Sequence, residues 1–559
     1  MTPLDRSYVC STDGAPLLFE TIGQCLDRTI SRWPDREALI VPFQDIRWTW
    51  REFGEQVDAL ATGLLALGFG PGDRIGIWSP NSYEWVLTQF ATAKIGVIMV
   101  CINPAYRLSE LEYALNKVEC RAIITADRFK TSEYLAMLQE LAPELASCEP
   151  GALSAARLPH LRAVIRMGEE KSPGTFNFSD VMGRGTNADT ERLQALATEL
   201  QPDDAINIQF TSGTTGSPKG ATLTHCNILN NGWFVGEIQQ FTEADRLCIP
   251  VPLYHCFGMV MGTLNCIAHG AAMILPAPVF DPLATLEAAQ SERCTALYGV
   301  PTMFIAELDH PEFGRFKLDS LRTGVMAGAP CPVEVMKRVI DRMHMKDVTI
   351  CYGMTETSPV SFQTTPADPL DKRVETVGRI LPRLECKIVD TEGRIVPIGE
   401  PGELCTRGYS VMLGYWNDEE KTDEAIDTAR WMHTGDIATM DDEGYVRIVG
   451  RIKDMLIRGG ENIYPREIEE FLYRHPAIQD VQVFGVPDER YGEEVCAWIC
   501  IKQGETLAAQ DVIEFCKGQI AHYKVPRYVR FVESFPMTVT GKIQKFVMRE
   551  SMIEELSRG

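Results

Sequence analysis

The sequence predicts an α/β fold with a smaller α+β unit at its C-terminal end. Apolar runs at helical spacing alternate with short β-branched runs from Leu18 to Cys351, which is typical of βαβ units around a parallel sheet. Short strands with Gly-rich turns between Thr376 and Val449 indicate a small β-barrel or sandwich, and mixed helices and strands follow Arg451. Because 559 residues exceed what one hydrophobic core normally serves, we expect two domains, 1–450 and 451–559.

The alternation of helices and strands in the first block predicts right-handed βαβ units, which form a parallel sheet with helices on both faces. Ser109 has the residue type of an N-cap and is predicted to begin the helix that runs toward Val118. The stretch Pro143–Asp204 is predicted to be surface loops around a single strand, Ala163–Arg166. The other predicted elements are a helix over Leu18–Trp33, strand Ala38–Val41, helix Arg51–Leu67, strand Arg74–Trp78, helix Tyr83–Ile95, strand Val97–Ile102 and strand Arg121–Thr125.

A second alternating block follows an apolar strand at Ile206–Phe210. Its predicted elements are strand Leu247–Pro250, helix Gly258–Ala268, strand Ala272–Leu275, helix Asp281–Ser291, strand Ala296–Tyr298, helix Thr302–Leu308, strand Thr323–Met326, helix Pro332–Met343 and strand Val348–Cys351. In the C-terminal unit we predict helix Pro465–His475, strands Val481–Phe484 and Val495–Ile501, and helix Ala509–Ile520.

One uncharged stretch, Phe257–Phe280, is long enough to span a bilayer. Asn265, the His269–Gly270 break and two prolines, Pro276 and Pro278, interrupt it. The sequence therefore favours a buried helix, a turn and a strand here, and no transmembrane segment.

Charge and cysteine usage exclude several classes of protein. The formal net charge of −23 argues against non-specific nucleic-acid binding, which needs a basic face. The 17 cysteines show no CxxC pair and no Cys/His metal spacing, which indicates free thiols in a reducing compartment. The N-terminal residues have neither a signal-peptide core nor an Arg-rich transit peptide. We expect a cytoplasmic protein, or one of an organelle matrix, and self-association into a homo-oligomer is compatible with the sequence.

Ten consecutive residues after Phe210 have the composition of a polyphosphate-binding loop: Thr211, Ser212, Gly213, Thr214, Thr215, Gly216, Ser217, Pro218, Lys219 and Gly220. Small residues let backbone N–H groups approach an anion closely, hydroxyls add donors, and the lysine adds charge. The loop is not of the Walker type, because Pro218 and Gly220 flank Lys219. A flexible connector is the alternative, and it explains ten such residues in this order poorly.

Four later segments accompany the loop: CYGMTETSP (Cys351–Pro359), HTGD (His433–Asp436), GRIKDMLIRGGENIYP (Gly450–Pro465) and PMTVTGKIQK (Pro536–Lys545). Taken singly, each has an ordinary structural explanation as a turn or a solvated charge. Together, and in this order, they resemble the motifs of the adenylate-forming (AMP-binding) enzyme superfamily. The residues after the loop place the resemblance in its fatty acyl-CoA synthetase branch, closest to the medium-chain acyl-CoA synthetase-like members.

This resemblance implies an N-terminal domain of two βαβ sheets plus a small β-barrel, with a small mobile α+β domain behind it. It also implies a set of site residues. Tyr352 would stack on adenine, Thr355 bind the α-phosphate, Glu356 hold Mg²⁺, Asp436 and Arg451 contact the ribose, and Gly328, Ala329 and Pro330 line the adenine pocket. Lys453 would be the hinge, Gly459 and Gly460 would line the coenzyme A tunnel, and Lys542 would be the catalytic lysine.

The implied activity is ligation of a medium- to long-chain fatty acid to coenzyme A through an acyl-adenylate, with ATP and Mg²⁺. The stretch Pro252–Gly258 has no acid where amino-acid-activating relatives carry an aspartate, which disfavours amino acids. Gly353 stands where acetate-specific relatives carry a tryptophan, so we expect an open acyl tunnel, with His255 as its gate. An aryl-acid CoA ligase and a fatty acyl-AMP ligase that loads a carrier protein are the alternatives. A luciferase-like oxidation is also not excluded, whereas a non-catalytic relative is disfavoured by the intact Lys542, Glu356 and Asp436.

Overall fold

The computed structural model describes residues 4–12, 14–211, 218–329, 331–458, 461–538 and 543–558. Their strands form four main sheets and one two-stranded ribbon, Arg128–Phe129 with Ser132–Glu133. Two of these sheets are large and mainly parallel, as the alternation of helices and strands predicts. The α/β fold class is therefore confirmed.

The first large sheet has eight strands. From edge to edge these are Thr175–Asn177, Ala163–Arg166, Ala122–Thr125, Arg74–Trp78, Ile98–Cys101, Ala205–Thr211, Lys219–Thr224 and Gly414–Tyr415. The first six are parallel neighbours, and the last two pair antiparallel. Since Thr211 lies opposite Lys219, both ends of the predicted phosphate loop lie side by side at the carboxyl end of strand Ala205–Thr211.

The second large sheet has nine strands. From edge to edge these are Arg379–Ile380, Val360–Gln363, Asp347–Gly353, Thr323–Met326, Ala296–Gly299, Arg246–Cys248, Ala272–Ile274, Glu37–Val41 and Ile46–Thr49. Its six central strands are parallel, and antiparallel strands flank them on both sides. Clefts for ligands form at the carboxyl ends of such parallel strands.

Two smaller sheets complete the fold. The region predicted as a small β-barrel is a five-stranded antiparallel sheet in the order Tyr8–Cys10, Leu384–Val389, Gly402–Gly408, Met432–Met440 and Val446–Arg451. The C-terminal sheet contains strands Glu461–Ile463, Leu456–Arg458, Gly492–Ile501, Ile478–Asp488 and Tyr528–Phe531. Two clusters of buried apolar side chains consist only of residues from Leu456 onward, so this sheet has a core of its own.

Helices cover the sheets. The α-helices are Ile22–Arg32, Trp50–Ala66, Tyr83–Lys94, Leu108–Lys117, Tyr134–Leu141, Phe178–Met182, Asn187–Glu199, His225–Ile238, Asn265–His269, Pro282–Ser291, Pro301–Leu308, Val333–Arg342, Leu370–Glu375, Glu419–Ala425, Pro465–Leu472, Ala509–Cys516 and Lys545–Arg558. A π-helix spans Phe257–Leu264, and short 3₁₀ helices span Pro42–Gln44, Pro143–Ala146, Phe313–Arg315, Thr355–Thr357 and His522–Lys524. Among the described residues, no helix combines the length and the apolar character that crossing a bilayer requires.

Two predictions about the helices are wrong. The helix predicted to begin at Ser109 begins at Leu108, and its N-cap is Arg107, whose backbone N–H donates to the Glu110 carboxylate at 2.9 Å. Ser109 is an exposed residue of the first turn. Pro143–Asp204 is also more ordered than predicted, since it contains helix Asn187–Glu199. That helix has a weak apolar stripe, because only two of its side chains, Leu193 and Leu196, are buried.

The helix Pro301–Leu308 buries a carboxyl group. Glu307 is 1% exposed, and its Oε2 atom has no hydrogen-bond partner among the described residues. Burial raises the pKa of Glu307 well above its ordinary value, because the charged form loses its hydration. The folded state therefore favours the protonated acid.

We predict that Glu307→Gln removes a pH-dependent loss of stability. A raised folded-state pKa gives stability that is complete below the unfolded pKa and declines as the pH rises toward the folded pKa. The advantage of the Gln variant in thermal midpoint should accordingly grow between about pH 5 and about pH 8. The exposed Glu191→Gln is the matched control and should show no such trend. A constant difference between Glu307→Gln and wild type over this range would contradict the prediction.

Candidate functional site

The Glu356 carboxylate lies where the two large sheets meet. Glu356 belongs to the 3₁₀ helix that directly follows strand Asp347–Gly353 of the nine-stranded sheet. Its Oε1 atom accepts hydrogen bonds from the Thr211 hydroxyl at 3.2 Å and from the Tyr415 hydroxyl at 2.8 Å. Both donors stand in the eight-stranded sheet. The structure therefore brings together Thr211 and Glu356, which the sequence predicted for one site.

Lys219 joins this cluster through Tyr415. Its ammonium lies 4.4 Å from the centre of the Tyr415 ring, within the range of a cation–π interaction. Burial raises the pKa of Tyr415, and the neighbouring Glu356 carboxylate adds to the rise, so the phenol stays protonated as a hydrogen-bond donor. Pro218 precedes Lys219 and Gly220 follows it at this end of the predicted phosphate loop. The remaining loop residues, Ser212, Gly213, Thr214, Thr215, Gly216 and Ser217, lie outside the described residues.

Tyr352 and Asp436 form the second part of the site. The Tyr352 hydroxyl donates to Asp436 Oδ2 at 2.5 Å, which links the nine-stranded sheet to the five-stranded sheet. Burial raises the pKa of Tyr352 well above its ordinary value, and the charge of Asp436 acts in the same direction. Arg451 pairs with Asp436 from the opposite strand, with 3.3 Å between Arg451 Nε and Asp436 Oδ1. The three residues that the resemblance assigns to adenine and ribose are thus in contact.

A carboxylate on the adjacent strand holds the HTGD segment in place. Glu403 accepts from the Gly435 backbone N–H at 3.2 Å and from His433 Nδ1 at 2.9 Å. The Cys405 sulfur lies 3.5 Å from the same His433 nitrogen. Hydrogen bonding to Cys405 and Glu403 raises the pKa of His433 to about 10, so His433 is a cation at neutral pH. Gly435 has φ +70°, a left-handed conformation that glycine adopts without strain.

The predicted adenine-pocket turn begins at the end of a neighbouring strand. Strand Thr323–Met326 runs parallel to Asp347–Gly353, and Gly328 and Ala329 follow its carboxyl end. Gly328 has φ +83°, which favours glycine at this turn. Pro330 lies outside the described residues.

Gly353 lies against the backbone of a neighbouring strand. A Cβ atom at this position would lie 1.8 Å from the Pro359 carbonyl oxygen and 3.0 Å from the Ser361 nitrogen. Gly353 is required because the backbone of the following antiparallel strand approaches it closely, with Gly353 opposite Val360. A side chain at this position requires the neighbouring backbone to move, and the open acyl tunnel at Gly353 stays a prediction.

His255 lies in the segment between strand Arg246–Cys248 and the π-helix. It is partly exposed, and its Nδ1 accepts from the Phe257 backbone N–H at 3.2 Å. The π-helix that follows is completely buried. Such π-helical turns are frequent at functional sites, and this one places Met259 beside the strand that leads into the phosphate loop.

A buried network of soft and polar groups connects that strand with the rest of the site. The Gln209 side chain donates to the Met259 sulfur at 2.9 Å and accepts from the Cys256 thiol at 3.0 Å. Burial raises the pKa of Cys256 well above its ordinary value, and the adjacent Thr355 hydroxyl opposes part of that rise. Thr355, which is 9% exposed, is therefore next to both Glu356 and this network.

The remaining predicted residues lie toward the C-terminus. Lys453 is an exposed residue of the turn that follows strand Val446–Arg451. Gly459, Gly460 and Lys542 lie outside the described residues.

Sequence reasoning missed Tyr415, Gln209 and Cys256, as well as Glu403 and Cys405 beside His433. Tyr415 belongs to a two-residue strand, and no local pattern shows that this strand pairs with Lys219–Thr224. Gln209 carried a signal, since it and Asn207 are buried polar residues among the apolar residues of strand Ala205–Thr211. Cys256 lies in the stretch Pro252–Gly258, where no local pattern indicates a hydrogen bond to Gln209.

Comparison with known proteins gives a consistent result. The AMP-binding enzyme family matches residues 26–416, and the AMP-binding enzyme C-terminal domain matches residues 467–542. The chain is 50% identical to the mitochondrial medium-chain acyl-CoA ligase ACSF2 of Danio rerio, over 99% of this chain and 92% of that protein. It is 48% identical to the Homo sapiens protein of the same name, over 99% of this chain and 90% of that protein. A putative acyl-CoA synthetase of Bacillus subtilis is 49% identical to this chain, over 97% of this chain and 98% of that protein.

Solved structures share the fold at lower identity. The anthranilate CoA ligase AuaEII, in complex with anthranoyl-AMP, superposes with a TM-score of 0.86 at 27% identity, over 97% of this chain and 99% of that one. ATP-bound MatB from Rhodopseudomonas palustris superposes with a TM-score of 0.81 at 28% identity, over 95% and 99%. These likenesses extend over the large N-terminal and the small C-terminal part of the chain.

We predict that Glu356→Gln lowers the efficiency of Mg·ATP use by roughly 10²-fold and leaves the fold intact. The amide oxygen can still accept from Thr211 and Tyr415, so only the negative charge is lost. The measurement is the initial rate against Mg²⁺ at fixed ATP. Tyr415→Phe is the matched variant, because it removes one hydrogen bond and keeps the charge, and we expect a smaller loss. A wild-type response of Glu356→Gln to limiting Mg²⁺ would show that Glu356 is no metal ligand.

Proposed function

The chain belongs to the AMP-binding enzyme family, and on this premise we propose that it joins a medium- to long-chain fatty acid to coenzyme A. The reaction uses ATP, passes through an acyl-adenylate, and releases pyrophosphate and AMP. One observation carries the proposal. Glu356, Thr355 and Tyr352 lie at the carboxyl end of one sheet, against Thr211 and Lys219 of the phosphate loop.

The chemistry explains why these groups are needed. A carboxylate is a poor electrophile, so its oxygen first attacks the α-phosphorus of ATP and displaces pyrophosphate. The thiol of coenzyme A then attacks the acyl carbon, and AMP leaves. The first step needs positive charge and hydrogen-bond donors around the α-phosphate. We assign these roles to Lys219 and to the Thr355 hydroxyl, and Lys542 adds its ammonium from the C-terminal segment.

Nucleotide binding is assigned to the second part of the site. Asp436 offers paired acceptor oxygens to vicinal ribose hydroxyls, and Arg451 holds that carboxylate in place. The Tyr352 hydroxyl is bonded to Asp436, which leaves the ring as the surface for adenine. Gly328 and Ala329 are small residues, and we assign them to the part of the pocket where the base approaches the backbone.

Mg²⁺ fits the donors present. Glu356 and the Thr211 hydroxyl offer hard oxygen atoms next to Lys219, and Mg²⁺ prefers such ligands together with substrate phosphates. When bound, the ion neutralises charge on the polyphosphate.

Two other substrate classes are alternatives within the same proposal. Aryl acids are the second candidate, since a relative of the same fold is an anthranilate CoA ligase, and transfer to a carrier protein is the third.

We propose a reducing compartment, either the cytoplasm or an organelle matrix. All 17 cysteines are free, 15 of them are buried, and the vertebrate relatives are named as mitochondrial.

The experiment that tests the function is a substrate series with purified protein. Saturated fatty acids of increasing chain length, a benzoate and an amino acid are compared, with ATP, Mg²⁺ and coenzyme A, by pyrophosphate release and thioester formation. We expect a maximum among medium or long chains and no activity with the amino acid. Turnover only with the aryl acid, or pyrophosphate release without a thioester, would favour one of the alternatives.

We further propose a domain boundary after residue 450 and a hinge at Lys453. The apolar clusters that begin at Leu456 are separate from the N-terminal core, and Lys453 lies in an exposed turn between the two parts. Adenylation needs Lys542 beside the α-phosphate, whereas the thiol needs access to the acyl carbon. The C-terminal domain must therefore rotate between the two steps.

Lys542→Ala should abolish acyl-adenylate formation but still convert supplied acyl-adenylate and coenzyme A to the thioester. Lys453→Pro should impair the second step instead, because proline fixes φ and restricts the preceding residue. Pyrophosphate exchange and thioester release are measured separately. Equal slowing of both steps by each variant would contradict the two-conformation mechanism.

A further inference from the structure

Three side chains with metal-binding atoms converge on one face of the five-stranded sheet. Glu403 and Cys405 alternate along strand Gly402–Gly408 and so lie on the same face, and His433 is directly opposite Cys405 on strand Met432–Met440. A carboxylate oxygen, the sulfur and a ring nitrogen of the three residues all lie within 4.8 Å of one another. In the described part of the chain, no second group of three such atoms lies so close together. The cluster forms across strands, so the spacing of cysteines and histidines along the sequence does not show it.

The distances among these atoms are close to those around a tetrahedral ion. With bonds of about 2.3 Å to sulfur and about 2.1 Å to nitrogen or oxygen, the sulfur and nitrogen ligands of such an ion are about 3.5 Å apart, and the nitrogen and oxygen ligands about 3.4 Å. The Cys405 sulfur lies 3.5 Å from His433 Nδ1, and Glu403 Oε2 lies 2.9 Å from the same nitrogen. The Glu403 carboxylate therefore has to draw back by about half an ångström. Its side chain is 23% exposed and has room to do so.

The chemistry of the donor atoms selects the ion. A thiolate together with an imidazole and a carboxylate is typical of Zn²⁺, whereas Mg²⁺, which we assign to Glu356, prefers oxygen ligands alone. The charges of the thiolate and the carboxylate balance those of a divalent ion. Three protein ligands leave a fourth position for water, and the exposed parts of Glu403 and His433 give an ion access from solvent.

The surroundings of the three ligands also favour a metal. The other ring nitrogen, His433 Nε2, lies 4.0 Å from Asp427 Oδ2, so a small rotation of the ring brings it to hydrogen-bond distance of this carboxylate. Ligating histidines usually have such a partner, which fixes the ring and makes it a better ligand. On the buried side, the Cys405 thiol packs with Val389 and Trp431 in a cluster of apolar side chains. This apolar wall limits the access of water to a metal–sulfur bond.

We propose that Glu403, Cys405 and His433 bind one Zn²⁺ ion. The ion takes the place of the protons on the Cys405 thiol and on His433 Nδ1, and these protons pass to the solvent. The other oxygen of Glu403 accepts from the Gly435 N–H at 3.2 Å, so a bound ion fixes the turn that leads from His433 to Asp436. The metal is thus a structural support for the strand that carries Asp436. Zinc binding here does not depend on the proposed ligase activity, because no substrate takes part in it.

The test uses full-length protein that is purified without a histidine tag and stripped of metal with a chelator. Zn²⁺ binding is measured by isothermal titration calorimetry, and Co²⁺ is added as a spectroscopic probe. We expect one Zn²⁺ per chain with a Kd below about 1 μM, and a thiolate-to-cobalt charge-transfer band that Zn²⁺ abolishes. Free Zn²⁺ at about 100 times its Kd should also raise the thermal midpoint.

Single substitutions assign the ion to these ligands. Cys405→Ser should weaken Zn²⁺ binding at least about 100-fold and abolish the charge-transfer band, because the thiolate is lost. Asp427→Asn should weaken binding about tenfold, since Asp427 orients the ring and does not touch the ion. The amide oxygen of this variant can still accept from the Ala429 and Trp431 N–H groups. Cys10→Ser is the matched control, because Cys10 is an exposed cysteine on the edge strand of the same sheet, and it should leave both measurements unchanged.

Two results would overturn zinc binding at this site. One is a wild-type protein that shows neither stoichiometric Zn²⁺ binding nor the charge-transfer band. The other is a Cys405→Ser variant that binds Zn²⁺ as tightly as wild type. Thermal midpoints without metal show whether each variant is folded, and the wild-type Co²⁺ spectrum tests the site without any substitution. Ligase activity is measured separately by pyrophosphate release, so failure of the zinc site is distinguishable from failure of the proposed function.

Discussion

The hydrogen bonds that Thr211 and Tyr415 donate to Glu356 are the contact on which the arrangement of the site depends. They join two large sheets whose strands pair only within each sheet. A buried carboxylate needs such donors, because burial without partners would cost several kcal/mol. The same contact sets the distance between the phosphate loop and the strand end that carries Tyr352 and Thr355. Geometry that stabilises the fold thus also places the groups that we assign to the nucleotide.

The five-stranded sheet adds the groups assigned to the ribose. Asp436 is held by Tyr352 on one side and Arg451 on the other, and Glu403 fixes the backbone just before it. Arg451 is the last residue of its strand, and the exposed turn with Lys453 follows. The residues assigned to the ribose and the start of the C-terminal unit are therefore adjacent in the chain.

Several elements show how far sequence reasoning reaches. Strand Arg74–Trp78 lies at its predicted bounds, and helix Tyr83–Lys94 ends one residue before its predicted end, because apolar periodicity reflects burial directly. Helix Asn187–Glu199 was not predicted, since few of its side chains are buried and its start depends on hydrogen bonds between Thr186 and Asp189. The N-cap at Arg107 has the same kind of cause. The Glu110 carboxylate accepts the backbone N–H of Arg107, so the helix begins without a cap from Ser109.

The sequence by itself determined the fold class, the order of the motifs and most residue types of the site. These features depend on local periodicity and on chemistry that a single segment displays. Only the tertiary structure decided which distant groups share a hydrogen bond: Tyr415 with Glu356, Tyr352 with Asp436, and Lys545 with Glu469. It also showed that Gly353 allows close packing of the backbone at Pro359. Such contacts join residues far apart in the chain, and their partners are selected by sheet pairing and burial, which no local pattern records.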